Sequence, residues 1–346
     1  MQKITIIILL SFNILIYVVR ASAQTIVIKD GVIKIYWHNG ALFSEASYRN
    51  SVKDGLEKRY LPDGSLQAAF NYKNGKLDGP ARYYYTNGQV KAEKPYVDGR
   101  LEGIIKYYYK DGTLRSEYNY KSGLRNGSQR IYNQKGELFF DIQYKDDKRN
   151  GSALYYYSFR QTTTNQAIAR QRVRLENTYK DDLCEGIAKY YSEDGRLKME
   201  EPYLAGKLDG VAREYYPDGA IKSNIPYKDN KREGTAKYYY VGGELQREQV
   251  YRGDLCEGSN KNYYKNGKVK SQQFYLKGKM EGLGLFFYES GELKMESYYH
   301  DGRVEGLTKV YYESGQIESE AYFRHGKLSG EWSYYDKNGN KIGAYK

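Results

Sequence analysis

Large apolar side chains recur along this chain with a period of 24 positions, counted from a glycine at 40, 64, 88, 112 and 136. After one interruption the count resumes at 195, 219, 243, 267, 291, 315 and 339. With that glycine as position zero, and counting the interrupted copy that holds Tyr156, −4 is aromatic in all thirteen copies, from Tyr36 and Tyr60 to Phe287, Tyr311 and Tyr335. Position +8 is Tyr48, Tyr72, Tyr96 and onward to Tyr299, then Phe323, while +2 is aliphatic, as in Leu42, Val90 and Ile317. A second glycine stands at −9 in every copy, Gly31, Gly55 and Gly79 among them. A fixed period of this length marks a repeat array, and tyrosines flanking Asn-Gly or Asp-Gly predict one β-hairpin per copy. The pattern therefore predicts an all-β chain of about thirteen tandem 24-residue hairpins.

Two prolines select the turn. Pro62 and Pro217 fall at −2, in Leu61-Pro62-Asp63-Gly64 and Tyr216-Pro217-Asp218-Gly219, the order wanted by a type I turn closed by a left-handed glycine bulge. In that register −4 faces +2, so Tyr84 packs on Val90, and +8 is expected on the same, buried, face. On the other face −5 is expected across from +3, pairing Tyr83 with Lys91, Tyr107 with Arg115 and Tyr190 with Lys198. Position −6 is Lys or Arg in ten copies and falls on the buried side, from which its stem would snorkel to the edge. The glycines at −9 and often at −13 are expected to turn the chain between hairpins.

The combined pattern Gly-x4-Tyr-x3-Gly-x-Leu-x5-Tyr-x2-Gly-Lys-x2-Gly, clear in Gly79 to Gly103 and Gly282 to Gly306, resembles the MORN repeat in its bacterial variant. The resemblance covers Gly31 to Gly339. It implies consecutive antiparallel hairpins laid side by side in one elongated, twisted sheet. Eukaryotic arrays of this family look like membrane-lipid binders or protein scaffolds, and similar bacterial chains are often labelled as antitoxins of toxin–antitoxin pairs. The family supplies no catalytic residue to carry over.

The spacing breaks once, between Gly136 and Gly195, by two periods plus eleven residues. The flanking strands keep their phase, which places the extra residues in a turn at about 158–172. Phe159, Arg160, Arg170 and Arg172 make it a candidate interaction loop, since insertions in arrays map to loops.

Composition sharpens this picture. Forty-two tyrosines among 346 residues supply most of the large side chains, so many small aromatic layers are expected in place of one large core. Net charge is +12, and about +10 without the first 23 residues, a balance that suits anionic partners without any polybasic run. Cys184 and Cys256 share one phase three repeats apart, on the order of 29 Å at about 4.8 Å per strand, too far for an intramolecular disulfide. The start, Met1-Gln2-Lys3, an apolar stretch from Ile4 to Val19, then Ala21-Ser22-Ala23, predicts a signal peptide cleaved near Ala23-Gln24. Residues 24–346 are then the exported array.

Chemistry is sparse. His38, His300 and His325 lie in different phases, no zinc or triad spacing occurs, and the Glu residues at +5 form a ladder read as a solvated face. An enzyme, a metal site and a cofactor are not expected. Three function classes fit: an exported scaffold for protein partners at the cell envelope, a binder of anionic lipids or acidic glycans through the Tyr/Lys face, and an antitoxin-like inhibitor. Nucleic acid is disfavoured by export.

Overall fold

The computed structural model describes residues 30–158 and 172–346. The expected signal peptide and the loop residues Phe159, Arg160 and Arg170 lie outside these residues. The described residues contain no helix, and their thirty-three strands belong to one open antiparallel sheet in which successive strands pair. The chain divides into two compact units, Met1–Val173 with Tyr179–Asp182, and Arg174–Thr178 with Leu183–Lys346. Both are built from the same hairpin.

In the copy turning at Gly88, strands Gly79–Tyr84 and Val90–Val97 pair. Gly88 N–H donates to Tyr85 O at 2.9 Å and Tyr85 N–H to Gln89 O at 2.8 Å, with Gly88 at φ +82°. This is the three-residue loop with a glycine bulge that the prolines predict. The next turn is of another kind. Asp98 and Gly99 have φ +47° and +81° between paired Val97 and Arg100, a two-residue type I′ turn. The glycine at −13 therefore makes the connection between hairpins, whereas that at −9 sits inside a strand. Gly79 pairs with Tyr96 at φ +103° and kinks the strand between Leu77 and Pro80. Where −10 is a carboxylate, as in most copies, it fixes the following turn: Ser122 N–H donates to Glu102 and Lys277 N–H to Glu257, at 2.6 and 2.7 Å. The insertion is where the spacing puts it. Strands Lys148–Tyr156 and Val173–Lys180 survive, and Tyr157 N–H donates to Arg172 O at 3.0 Å across the loop's base.

The face assignment is corrected by a second bulge. Tyr84 does pair with Val90, but Tyr83 pairs with Ala92, leaving Lys91 at +3 as an extra residue. The same slip places Tyr107 opposite Ser116 and Tyr190 opposite Met199, so neither Arg115 nor Lys198 is the cross-strand neighbour expected. Alternation then puts −5 and +8 on one face and −4 and −6 on the other.

On the first face the core is made of small residues beneath rings. Ala81 is fully buried and clusters with Ala68 and Phe70, while Tyr72, Leu77, Tyr83 and Tyr96 pack over them. The rows −7 and +4 are buried as Ala153, Ala188 and Ala236, and as Ser44, Ala92, Ser223 and Ser319. Small side chains let rings from neighbouring strands lie across them and exclude water. That explains why so many tyrosines and so few aliphatics suffice.

The second face is a hydrogen-bonded ladder. The −4 tyrosine donates its hydroxyl to the +5 Glu of the preceding copy: Tyr60 to Glu45, Tyr108 to Glu93, Tyr215 to Glu200, Tyr263 to Glu248 and Tyr311 to Glu296, at 2.6–3.2 Å. The −6 cation pairs across the hairpin with the same carboxylate, as Arg82 with Glu93 at 2.8 Å and Lys237 with Glu248 at 3.3 Å. The +5 glutamates are thus structural acceptors, and the cations at −6 have no need to escape a buried face. Where +5 is Asn224 or Gln272, the following −4 residue, Tyr239 or Phe287, has no such carboxylate to meet.

A further bond links copies at their turns. The −3 tyrosine donates its hydroxyl to the −4 carbonyl of the next copy, from Tyr85 to Tyr108 O, Tyr216 to Tyr239 O, Tyr240 to Tyr263 O and Tyr312 to Tyr335 O, at 2.8–2.9 Å. Trp37 does the same through Nε1 to Tyr60 O at 3.2 Å. Replacing Tyr216 by Phe is expected to destabilise the chain by about 1 kcal/mol, the net value of one intramolecular hydrogen bond. A shift of the urea midpoint without change in slope is the readout.

Candidate interaction surfaces

The residues proposed from sequence as a ligand face have these places. Arg115 lies 5.5 Å from the Tyr107 ring, so that pair meets although the two are not cross-strand neighbours. Lys91 lies over Tyr85 at 5.8 Å, and the Tyr83 ring is approached instead by Lys94 at 5.2 Å and by Phe70 edge-on at 5.6 Å. Tyr190 donates its hydroxyl to Glu201 at 2.8 Å, a carboxylate that also accepts from Tyr203 at 2.9 Å. Burial first, and then this hydrogen bond to Glu201, push the Tyr190 hydroxyl pKa well up. Lys198 is exposed in the +3 bulge, and the structure brings it to neither. These contacts satisfy the ring faces within the protein. Arginines at −11 do likewise, Arg125, Arg149 and Arg232 stacking at 4.1–4.3 Å on Tyr144, Tyr179 and Tyr251.

Cys184 and Cys256 both occupy −11, three copies apart, and are not joined in a disulfide. Cys256 Sγ accepts from Gln249 Nε2 at 2.6 Å. His300 Nδ1 meets Glu281 at 2.9 Å, and this contact raises its pKa. Among the described residues no group of three or more His, Cys, Asp or Glu is placed to hold a metal ion. In the first unit a buried carboxylate is paired with cations. Glu57 contacts Lys53 at 2.8 Å and Arg59 at 3.0 Å, and although burial opposes ionisation, these two partners hold its pKa below the usual value.

Sequence reasoning passed over a different surface. On the ladder face, −8 and +7 are cross-strand partners, and both are large and apolar in many copies. In the second unit the row reads Ile187 and Pro202, Val211 and Pro226, Val250, Phe274, Leu283 and Tyr298, then Leu307 and Tyr322. Phe274 and Leu283 are 50 % exposed and Tyr322 is 52 % exposed. A partial clue was present at −8, where Val32, Leu56, Ile104 and Ile187 share a phase that holds no glycine and, until Glu331 in the last copy, no charge. An apolar row that recurs about every 10 Å, two strand spacings, differs from scattered surface leucines.

The model of the MORN repeat variant matches residues 29–50, 53–74, 77–98, 101–122, 185–205, 208–229, 257–277, 280–301 and 304–325. That of the MORN repeat matches 143–158 and 227–244. No curated protein matches. Solved structures described as TcdB2-TccC3 and TcdB2-TccC3-Cdc42 are 14 % and 13 % identical, with TM-scores of 0.17 and 0.16. In each case 90 % of this chain is covered, and it spans only 18 % of the other. None of these descriptions names an antitoxin. With the variant model matching more than half of its length in nine successive segments, the chain belongs to the MORN repeat variant family.

Proposed function

We propose that this chain is exported and acts as a non-enzymatic scaffold for protein partners at the cell envelope. The observation that supports this most directly is the exposed apolar row from Ile187 to Tyr322, built into the repeat itself at −8 and +7. The row is apolar on both strands except at Thr235 and Ser259, which stand opposite Val250 and Phe274. Exposed apolar surface of this kind is the usual mark of a protein–protein site, and a repeat array offers it as an extended binding surface. Export rests on the amino-terminal sequence alone, and its check is simple: the mature protein should begin at Gln24, and a retained Met1 rules the reading out.

Binding is tested by affinity capture from cell envelopes with the mature chain and with a Leu283→Asn, Leu307→Asn variant. Both side chains are exposed, so folding stability should change by no more than about 0.5 kcal/mol per site. Loss of a specific captured protein, by about 10-fold or more, is expected. Equal capture by both chains would refute the role of the row. A second reading, recognition of anionic lipids or acidic glycans, draws on the Arg115–Tyr107 contact. It requires salt-sensitive binding to anionic liposomes or glycans that Arg115→Gln weakens.

A further inference from the structure

The copies turning at Gly243 and Gly267 depart from the others on the face where small residues lie under rings. At −5, where Tyr83, Tyr107, Tyr190 and Tyr238 stand in other copies, the later of the two has Asn262. At +4, a place that carries no charge in any other copy and is most often Ala, Ser or Met, the earlier has Arg247. The two are cross-strand partners, and Tyr238 flanks Arg247 on its other side. A half-open cavity of about 740 Å³ lies here, lined in part by Arg247, Asn262, Lys270, Ser271, Phe286 and Lys294.

Its polar groups are arranged. Asn262 Nδ2 donates to Ser271 Oγ at 2.9 Å. The Arg247 guanidinium lies 3.9 Å from the centre of the Tyr238 ring, and its Nε is buried without a hydrogen-bond partner. Lys270 and Lys294 add two more cations, and no Asp or Glu is among the described residues lining the cavity. Polar side chains are buried nearby as well: Gln249 and Asn260, facing each other two pairs further on, are both 8 % exposed. The buried Nε of Arg247, left unpaired at a cavity that two lysines and no described acid line, is costly unless an anion completes it. The side-on edge of a guanidinium matches a carboxylate, which it takes through two parallel bonds.

We infer that this cavity receives an acidic side chain of a partner protein, with an adjoining apolar side chain laid against Phe286 and Met295. The inference rests on the reading of the chain as a protein scaffold. A sugar fits less well. The Tyr240 and Tyr264 rings at the cavity are already approached by Lys265 at 6.0 Å and Lys270 at 5.6 Å. Their hydroxyls are held by Tyr263 O and Phe287 O, so neither ring is a bare stacking platform.

The test uses the full mature chain, a short peptide of alternating glutamate and leucine, and the same peptide with glutamine for glutamate. The glutamate peptide should bind and weaken as salt is raised, and the glutamine peptide should not bind. Arg247→Met should weaken binding by about 10-fold or more. Methionine is native at the equivalent Met199 and Met295, so the same variant should unfold at an equal or higher denaturant concentration. Arg247→Lys should also bind less tightly, because it keeps the charge and loses the fork. Unchanged binding by Arg247→Met, equal binding of the glutamine peptide, or tighter binding of oligogalacturonate or inorganic phosphate than of the glutamate peptide would each overturn the inference. So would a fall in the stability of Arg247→Met, since that is the mark of a purely structural arginine. The Leu283→Asn, Leu307→Asn chain should still bind the glutamate peptide, so failure here and failure of the scaffold reading are separate results.

Discussion

Titrated toward alkaline pH, the folded chain is expected to keep its stability up to about pH 10 and to lose it steeply before pH 12. The cause is the ladder face. Burial, and then the hydrogen bond to the neighbouring glutamate, raise the hydroxyls of Tyr60, Tyr263 and Tyr311 to about 12 from an ordinary 10.0. Tyr72 and Tyr203 on the opposite face also reach about 12, chiefly through burial. Below pH 10 these tyrosines are neutral whether the chain is folded or not, and their contribution is complete. Between 10 and 12 the unfolded chain ionises first, so each unit of pH favours it, and above 12 the contribution is gone. The same window recurs in copy after copy, so the losses accumulate along the array. Circular dichroism should show unfolding concerted with the rise of tyrosinate absorbance. A Tyr60→Phe, Tyr263→Phe, Tyr311→Phe chain should start about 1 kcal/mol less stable per site at neutral pH yet lose less across the alkaline window. Independent, non-cooperative tyrosine titration in an intact fold would contradict this account.

The second large effect concerns a kink glycine. Gly210 has φ +119°, and a Cβ added there would lie 3.0 Å from Pro202 Cγ and 3.2 Å from Pro202 Cβ. A proline ring cannot swing aside. Gly210→Ala should therefore cost about 3 kcal/mol or more, combining backbone strain of about 1–3 kcal/mol with overpacking of similar size. Gly186, at the same phase with φ +83°, would place a Cβ with nothing within 4 Å. Gly186→Ala should cost only the left-handed backbone term, about 1–2 kcal/mol. Gly330, at the same phase with φ +112° and nothing within 4 Å of an added Cβ, matches the backbone of Gly210 more nearly, so the excess loss of Gly210→Ala over Gly330→Ala reports the contact with Pro202, and equal losses would refute it.

Much of the hairpin was readable because its chemistry leaves residue-level traces. Pro62 and Pro217 at −2 identified the bulged turn, and the unbroken phase of Val173 and Tyr179 located the insertion in a turn. The +3 bulge leaves no such trace. Lys91, Arg115, Phe139 and Lys198 share no property that marks an extra residue, and one slipped position exchanges the faces of everything beyond it. Regularity was also a misleading guide to burial. In most copies the −4 tyrosine uses its hydroxyl to reach the +5 glutamate on the ladder face, whereas the buried row holds mostly Ala and Ser. Of the surfaces, the Tyr107–Arg115 contact was legible; of the −8 and +7 row only the −8 half left a trace in the sequence, and the row itself emerges when the two strands are set in register. Arg247 could not be weighed until Asn262 was known to stand opposite it.

The tyrosine bonds from −3 to the next copy's −4 carbonyl each span 23 residues, and those from −4 to the preceding +5 span 15. Contacts so short in sequence keep the relative contact order low, and a chain of this kind can begin to fold at any hairpin and extend in either direction. Among the described residues strands pair only with near neighbours in sequence, so no pairing waits for the far terminus to be synthesised. The number of hairpins is thus not set by closure or by a shared core, and whole copies could be gained or lost in steps of one period while the −8 and +7 row is lengthened or shortened in proportion.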